Sequence, residues 1–381
     1  MALSDPNSRQ DDDSERCGNH SRSSRKMRLW RHFRTSWLRY IVSLLALLSI
    51  GQFVYIYRLD MGLTRIPNDP FDLWFGQDIN YKSPAIWDTD RQSFLRHTRP
   101  VPVHSHNDYE RRIPLFEALG SGCISIEADV FLRDSNLLVG HTTKGLSDDK
   151  TLQSLYLEPL QRILEEQNAH TSDETRRGVF DPVPEQTLIL LVDVKSSGTE
   201  TFAKLDAQLQ PLRDLDYLTY WNGTARVVRP LTVVASGNTP FSSVLAMNKT
   251  HRDIFWDAKL EQLVSIEDDF GTEPPAYKYN LSNSYFASTK FQNAILWRPT
   301  DDSALSKLTP RERDMASTQI QQAKSRGLLA RYWDTPSQPP NVREIAWRVL
   351  VDHQVGLLNM DELGIVRARA KGWGALHDDS L

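Results

Sequence analysis

Short apolar runs rich in β-branched residues alternate with longer stretches of helical periodicity over most of the chain. Eight such runs are present, at residues 101–106, 123–130, 187–194, 231–236, 253–257, 284–289, 328–334 and 356–360. Between them, apolar residues recur at intervals of three and four, which is typical of amphipathic helices, at residues 152–167, 201–212 and 341–353. A doubly wound sheet would also alternate, but a count of eight strands over roughly 280 residues favours closure into a (β/α)8 barrel.

An uncharged run precedes the predicted barrel. Residues 40–57 carry no charged side chain, and as a helix they would span about 27 Å, close to the hydrocarbon thickness of a bilayer. Seven Lys or Arg and no Asp or Glu lie in residues 22–39, and Trp and Tyr flank the run. These flanks favour a membrane-spanning helix over a buried core helix, and the positive-inside rule places the N-terminus in the cytoplasm.

The pattern therefore predicts an α/β protein in four parts. They are a disordered basic cytoplasmic tail over 1–39, a transmembrane anchor over 40–59, a spacer over 60–99 and a catalytic barrel over 100–381. A cleaved signal peptide is disfavoured, because no small-x-small pattern follows the apolar run. A mitochondrial membrane stays open as the destination, since the stretch before the anchor is rich in Arg and Ser.

This topology would make the barrel lumenal or extracellular. The sequons at Asn222, Asn248 and Asn280 fit such a domain and would make it a glycoprotein. The two cysteines, Cys17 and Cys123, would lie on opposite sides of the membrane, so no intrachain disulfide is expected. The net charge of −4 argues against a general nucleic-acid binder, which would carry a clear basic excess.

Polar residues cluster where the first three predicted strands end. A barrel places its active site at the carboxyl ends of its strands, so these residues are the candidates for chemistry. They are His104, His106, Asn107 and Asp108 at the end of the first run, Glu127, Asp129 and the nearby His141 at the end of the second, and Asp193 and Lys195 at the end of the third.

The carboxylates among these candidates predict a metal site. Glu127 and Asp129 are two residues apart on one strand, so both point the same way, and Asp193 ends the neighbouring strand. Oxygen ligands of this kind suit one hard divalent cation, Mg²⁺ or Ca²⁺. The alternative is that Glu127 and Asp129 form salt bridges with Arg111 or Arg112, but adjacent carboxylates at a barrel rim repel each other without a cation.

The two histidines one residue apart, His104 and His106, allow a second interpretation as a metal pair of a binuclear amidohydrolase. That site would need further histidine ligands at the ends of the fifth and sixth strands. His251 and His353 precede their runs and so lie at the wrong end. The better alternative is acid–base chemistry by a first histidine, His106 or, with the strand shifted by two residues, His104.

Several short motifs carry a family resemblance. "SHND", "EAD", "GHTT" and "DVK" occur in the order found in the phospholipase C-like phosphodiesterase superfamily, and "HSHNDY", "EADV", "LLVGH", "RYWDTP" and "LLNMDEL" resemble the fungal altered inheritance of mitochondria protein 6 family. The resemblance covers about residues 98–365. It implies catalytic roles for His106, His141 and Lys195, and metal binding by Asn107, Glu127, Asp129 and Asp193.

The resemblance implies a membrane-anchored, metal-dependent phosphoric diester hydrolase acting on a lipid-derived phosphodiester. The His-Arg-Gly start of glycerophosphodiester phosphodiesterases and the loop cysteines of sphingomyelinase D are missing, so the head group is not predicted. The alternative is a catalytically silent barrel that binds a phosphorylated head group. Further rim candidates of lower weight are Asn238, Ser288, Trp333, Asp334, Asn359 and Asp361.

Overall fold

The computed structural model describes residues 37–56, 79–87, 93–169, 176–264, 278–295 and 308–368. The predicted disordered tail up to residue 36, residues 57–78 of the predicted anchor and spacer, and the C-terminal residues 369–381 lie outside the described residues. The chain divides into two compact units, Met1–Ile66 and Pro67–Leu381.

One helix, Trp37–Ile56, is described in the first unit. It is the one helix in the described part of the chain that is long and apolar enough to cross a membrane, and none of it is buried. Its 20 residues correspond to about 30 Å of helix. The helix covers residues 40–56 of the predicted anchor and is compatible with a single-pass span.

Eight parallel strands close into a barrel in the second unit, which confirms the predicted fold. The strands are β1 Val101–Ser105, β2 Cys123–Arg133, β3 Leu188–Val194, β4 Leu231–Gly237, β5 Ile254–Lys259, β6 Ser284–Lys290, β7 Leu329–Trp333 and β8 Leu357–Met360. Each strand pairs in parallel with its neighbour along the chain, and β1 pairs with both β2 and β8. All eight predicted apolar runs form the barrel.

In the described part of the chain, α-helices follow each strand except β5, and the last of them comes after β8. They are α1 Phe116–Gly120, α2 Glu158–Asn168, α3 Gly198–Gln208, α4 Gln210–Asp214, α5 Phe241–Ala246, α6 Phe291–Ile295, α7 Pro310–Ser325, α8 Pro340–Asp352 and α9 Leu363–Ala368. A π-helical turn, Gln153–Leu157, leads into α2, and a 3-10 turn, Leu260–Val264, follows β5. Of the three segments predicted as helices, residues 152–167 form the π-helical turn and most of α2. Residues 201–212 lie in α3 and α4, and residues 341–353 form most of α8.

The barrel interior has an apolar floor below a polar upper layer. The floor consists of Ile189, Leu191, Val234, Phe255, Tyr285, Phe286 and Leu357. Because side chains on one face of a strand recur every two residues, the next inward positions toward the carboxyl end are Asp193 on β3, Ser236 on β4 and Asp257 on β5. Alternation along each strand therefore places these polar side chains together at the carboxyl end of the barrel interior.

The strand register brings the acidic residues together at that end. Asp129 of β2 is paired with Asp193 of β3, which is paired in turn with Ser236 of β4. Paired strands lie about 4.8 Å apart. The two carboxylates, which are 64 positions apart in the sequence, are therefore neighbours at the barrel rim.

Residues before β1 also pack on the barrel. Within the predicted spacer, Ile86 and Leu95 are buried. The ring of Trp87 meets that of Phe116 edge-on at 5.4 Å, and the Arg162 guanidinium lies 4.2 Å from the Trp87 ring centroid. The folded barrel unit therefore includes the described residues from 79 onward.

Candidate active site

A cavity of about 590 Å³ opens at the carboxyl ends of the strands. All seven residues predicted to be catalytic or metal-binding line it: His106, Asn107, Glu127, Asp129, His141, Asp193 and Lys195. They come from β1, β2 and β3 and the segments that follow those strands. The fold thus gathers the predicted residues into one cavity, while their individual roles stay predictions.

Three carboxylates form the centre of the cavity. Glu127, Asp129 and Asp193 each present an oxygen, and these oxygens lie within 4.8 Å of one another. Glu127 and Asp129 are 4% and 1% exposed. Burial and the charge of Glu127 raise the pKa of Asp129 to about 6, and burial raises the pKa of Asp193 although Lys195 opposes the shift. Three anions held this closely need positive charge to be stable.

The carboxylates fit a hard divalent cation. Within the described residues, Asp129 Oδ1 and Asp193 Oδ1 are buried and accept no hydrogen bond, although buried polar atoms nearly always have a partner. Oxygen donors with free lone pairs are what Mg²⁺ and Ca²⁺ bind. In the described part of the chain, no histidine or cysteine joins this group. The group therefore does not match the histidine-rich metal pair of the binuclear amidohydrolase alternative.

Lys195 neutralises part of the acidic charge. Its Nζ donates to Asp193 Oδ2 at 2.7 Å and lies 3.2 Å from Asp129 Oδ2. Burial opposes the ammonium charge, but Asp193 and Asp129 outweigh it and raise the pKa of Lys195. Three carboxylates with one ammonium leave two negative charges, the amount that a divalent cation would balance.

His106 is oriented by a residue that is distant in sequence but lies at the same rim of the barrel. Its Nδ1 donates to Asp361 Oδ1 at 2.7 Å, and its Nε2 lies 3.7 Å from Glu127 Oε2. Burial lowers the pKa of His106, but the hydrogen bond to Asp361 and the charge of Glu127 outweigh it and raise the pKa. The sequence identified Asp361 only as a minor rim candidate, because 255 residues separate it from His106.

His104 lies behind the cavity wall, with its Nε2 3.6 Å from Glu127 Oε2. Its side chain is fully buried in the barrel interior and does not line the cavity. Its Nδ1 is 2.7 Å from Ser125 Oγ, and its Nε2 is 3.4 Å from an Arg331 nitrogen. Burial and the charge of Arg331 lower the pKa of His104 to about 4. Of the two histidines in the motif, the structure places His106 at the cavity wall.

Asn107 begins the turn after β1 in the left-handed conformation, with φ of 48°, which Asn tolerates better than most residues. This conformation aims its backbone N–H at Glu127 Oε2, 3.1 Å away. Its side-chain Oδ1 lies 2.7 Å from the Tyr109 hydroxyl oxygen. The side chain predicted to bind metal is thus held next to the acidic centre by Tyr109.

Tyr109, which the sequence reasoning missed, links the second histidine to the acidic centre. Its hydroxyl lies 2.8 Å from Asp129 Oδ2 and 3.1 Å from His141 Nδ1. Burial and the charge of Asp129 raise the pKa of Tyr109 far above its usual value, so the phenol stays protonated. His141 is otherwise 58% exposed at the cavity mouth. The available signal was the position of Tyr109 within the motif "HSHNDY".

The wall opposite the acidic centre also carries residues that the sequence reasoning missed. Arg331 lines the cavity, and its Nε donates to Ser288 Oγ at 3.3 Å. Asp257 is beside it, and burial raises the pKa of Asp257 to about 6 despite the charge of Arg331. The minor candidates Ser288, Trp333 and Asp334 line this wall. Strand alternation from Trp333 would have identified Arg331, two residues earlier on β7.

The alternative to metal binding, a salt bridge between Arg111 and the carboxylates, is absent among the described contacts. The Arg111 guanidinium donates to the backbone carbonyls of His106, at 3.2 Å, and of Asp361. It therefore holds the turn after β1 against the turn after β8. The lysine that pairs with the acidic centre is Lys195, which contacts Asp129 and Asp193.

Comparison with known proteins identifies close relatives. Residues 92–257 match the family model described as an AIM6-like phosphodiesterase domain. The chain is 38% identical over 296 residues to the altered inheritance of mitochondria protein 6 homolog of Arthroderma benhamiae, covering 73% of this chain and 89% of the relative. Identity to altered inheritance of mitochondria protein 6 of Eremothecium gossypii is 34% over 290 residues, with 73% of each chain covered. No solved structure matches the chain significantly.

Proposed function

Because the chain belongs to the altered inheritance of mitochondria protein 6 family and carries a phosphodiesterase-like domain, we propose that it is a metal-dependent phosphoric diester hydrolase. The observation that carries the proposal is one cavity lined by three clustered carboxylates, two histidines and a lysine. Cation-binding and proton-transferring groups within one cavity are what phosphodiester hydrolysis requires.

Glu127, Asp129 and Asp193 would hold the cation, Mg²⁺ or Ca²⁺, with Asn107 beside them. The bound cation would supply Lewis-acid stabilisation of the charge that develops on the phosphoryl oxygens. Positively charged side chains of the protein would also stabilise this developing charge. Lys195 and Arg331 both line the cavity, and fixed positive groups at a site of developing charge lower the barrier without reorganisation.

The two histidines would move the protons. One takes the proton from the attacking hydroxyl as its oxygen bonds to phosphorus, and the other gives a proton to the leaving oxygen as the old P–O bond breaks. Asp361 holds His106 by Nδ1 with Nε2 toward Glu127. Tyr109 holds His141 by Nδ1. Each imidazole thus has one nitrogen fixed by a partner and the other available to the cavity.

The helix Trp37–Ile56 would anchor the enzyme in a membrane and so place it near a lipid-derived phosphodiester. Its length and apolar character support a single span. The basic residues before it support an N-terminus in the cytoplasm and a catalytic domain in a lumen or outside the cell. The family name and the Arg- and Ser-rich tail keep a mitochondrial membrane as the alternative destination.

The test is turnover by the purified full chain in detergent. It is incubated with bis(4-nitrophenyl) phosphate and a panel of lipid phosphodiesters, in Mg²⁺, in Ca²⁺ or in EDTA. Glu127→Gln and His141→Ala are compared with the matched control Glu110→Gln, an exposed carboxylate outside the cavity. Cation-dependent hydrolysis that is lost in the first two variants and kept in the control is expected. Binding of a phosphorylated head group with no turnover under any condition would replace the enzyme by a binding barrel.

A further inference from the structure

The N-terminal face of the barrel, opposite the cavity, carries the three Asn-x-Ser/Thr sequons of the second unit, and a fourth, Asn19-His20-Ser21, belongs to the predicted cytoplasmic tail. Asn222 lies in the hairpin formed by Tyr220–Trp221 and Arg226–Val227, which precedes β4. Asn248 lies between α5 and β5, and Asn280 lies just before β6. The sequons are 26 and 32 residues apart in sequence, which is about one strand–helix repeat of the barrel, so each falls at the same end of successive strands.

Hydrogen bonds join the three turns into one surface. Trp221 N donates to Arg252 O at 2.8 Å, and Arg252 N donates to Trp221 O at 3.1 Å. The Arg252 guanidinium donates to Ser282 O at 2.6 Å. We call the turns 220–227, 248–252 and 280–284 the sequon face. The three sequons therefore lie side by side and do not belong to separate surfaces.

Two of the sequons are open to solvent in the folded domain. Asn222 and Asn248 are exposed, whereas Asn280 is partly buried. Asn222 Oδ1 accepts from the backbone N–H and the hydroxyl of Thr224, both at 2.9 Å. Asn248 Oδ1 accepts from the same two groups of Thr250, at 3.0 and 2.9 Å. In both turns the carboxamide oxygen is held inward, and within the described residues no hydrogen bond engages either Nδ2.

The sequon face is far from the cavity. β4 runs from Leu231, beside the hairpin, to Gly237, which lines the cavity. Its seven residues separate the two ends by about 20 Å. A large polar substituent on the sequon face would therefore leave the cavity mouth uncovered.

We propose that Asn222 and Asn248 carry N-linked glycans that cover the sequon face. The proposal rests on the lumenal placement of the domain given under the proposed function, and it does not depend on catalysis. In the reaction, Nδ2 forms a bond to C1 of an oligosaccharide, the bond from C1 to the pyrophosphate oxygen of its lipid-linked donor breaks, and Nδ2 loses one proton. No electron transfer is involved, and the donor is a lipid-pyrophosphate-linked oligosaccharide.

The experiment follows the electrophoretic mobility of the full chain, expressed in a eukaryotic cell and digested with or without peptide N-glycosidase. All variants are built in an Asn19→Gln, Asn280→Gln background, so that only the sequons at Asn222 and Asn248 remain. The expected result is a shift of two glycans on digestion, of one glycan in Asn222→Gln or Asn248→Gln, and of none in the double variant. Thr224→Ala should match Asn222→Gln, and Thr224→Ser should restore the glycan.

A control sequon separates failure of this proposal from failure of the topology. Gly145→Asn creates Asn-Leu-Ser in the exposed segment after His141, where an added side chain meets nothing within 4 Å. If that variant gains a glycan while Asn222 and Asn248 carry none, the glycan proposal is overturned and the lumenal placement stands. If no position is modified, including the control, both the glycans and the lumenal placement are overturned.

Discussion

Gly237 at the end of β4 lies directly against the carboxylate of Asp193. A Cβ built at Gly237 would come within 1.9 Å of Asp193 Oδ1, and the glycine adopts a φ of +64°. Both facts demand glycine, since other L-residues are strained in this conformation. A backbone position on the fourth strand therefore determines where the third carboxylate of the acidic centre can lie.

Gly237→Ala should displace Asp193 and weaken the acidic centre. The expected effect is a loss of about 10- to 100-fold in cation affinity or turnover, the usual effect of disturbing a group that positions a ligand. Cation titration monitored by turnover measures it. The control is Gly145→Ala, where the new methyl meets no atom within 4 Å. Unchanged cation affinity in Gly237→Ala would show that Asp193 tolerates displacement.

Adding Mg²⁺ or Ca²⁺ should stabilise the native protein. At a concentration of 100 times the Kd, binding contributes about 2.7 kcal/mol, which raises Tm by roughly 4–5 °C in a domain of this size. Differential scanning calorimetry with and without the cation measures the shift.

The variant Asp129→Asn should abolish this shift. It should also keep or raise the Tm of the cation-free protein, because the neutral amide removes repulsion from Glu127 and Asp193. A Tm that falls strongly without cation would argue that Asp129 has a structural role.

Asp361→Asn should impair the positioning of His106. The amide cannot hold the imidazole as a carboxylate does, so kcat should fall by about 10-fold or more with little change in KM. Glu362→Gln is the matched control, because that neighbouring carboxylate lies 3.5 Å from Arg343 and belongs to a different contact. Steady-state kinetics of the two variants measure kcat and KM. Equal kcat values for both variants would show that Asp361 does not position His106 for the reaction.

Tyr109→Phe should lower kcat while the fold survives. Loss of the hydroxyl leaves Asp129 Oδ2 without this donor and His141 Nδ1 without its partner. We expect the free energy of unfolding to fall by about 1–2 kcal/mol. Tyr156→Phe is the matched control, since its hydroxyl donates to Asp108 at 3.0 Å, outside the cavity. Both variants should unfold at lower urea concentration. A loss of turnover confined to Tyr109→Phe is the informative result.

Trp87→Ala should destabilise the barrel, although residue 87 precedes the region that the family model matches. The change removes the contacts with Phe116 and Arg162, and we expect a loss of about 2–3 kcal/mol in the free energy of unfolding. Urea unfolding measures it. Tyr81→Phe, which removes one exposed hydrogen bond to Asp149, should change stability by less than about 0.5 kcal/mol. Equal stability of both variants would make residues 79–87 a true spacer.

The amino-acid pattern alone determined the architecture and most of the candidate site. Eight apolar runs with helical crossovers specify a barrel, because strands buried on both faces read as apolar runs. Since parallel strands in a barrel present their carboxyl ends together, polar residues at three strand ends had to meet in one cavity. Glu127, Asp129 and Asp193 could be identified without coordinates for this reason.

Tertiary structure alone decided the contacts made by barrel closure. Strand β8 lies beside β1, which brings Asp361 to His106 across 255 residues and Arg331 to His104 across 227. Local periodicity specifies the face and end of a strand on which a side chain lies. It does not specify which distant side chain occupies the neighbouring position, because that depends on the register of strands that are far apart in the chain. Only the folded barrel therefore shows that His106 lines the cavity and His104 does not.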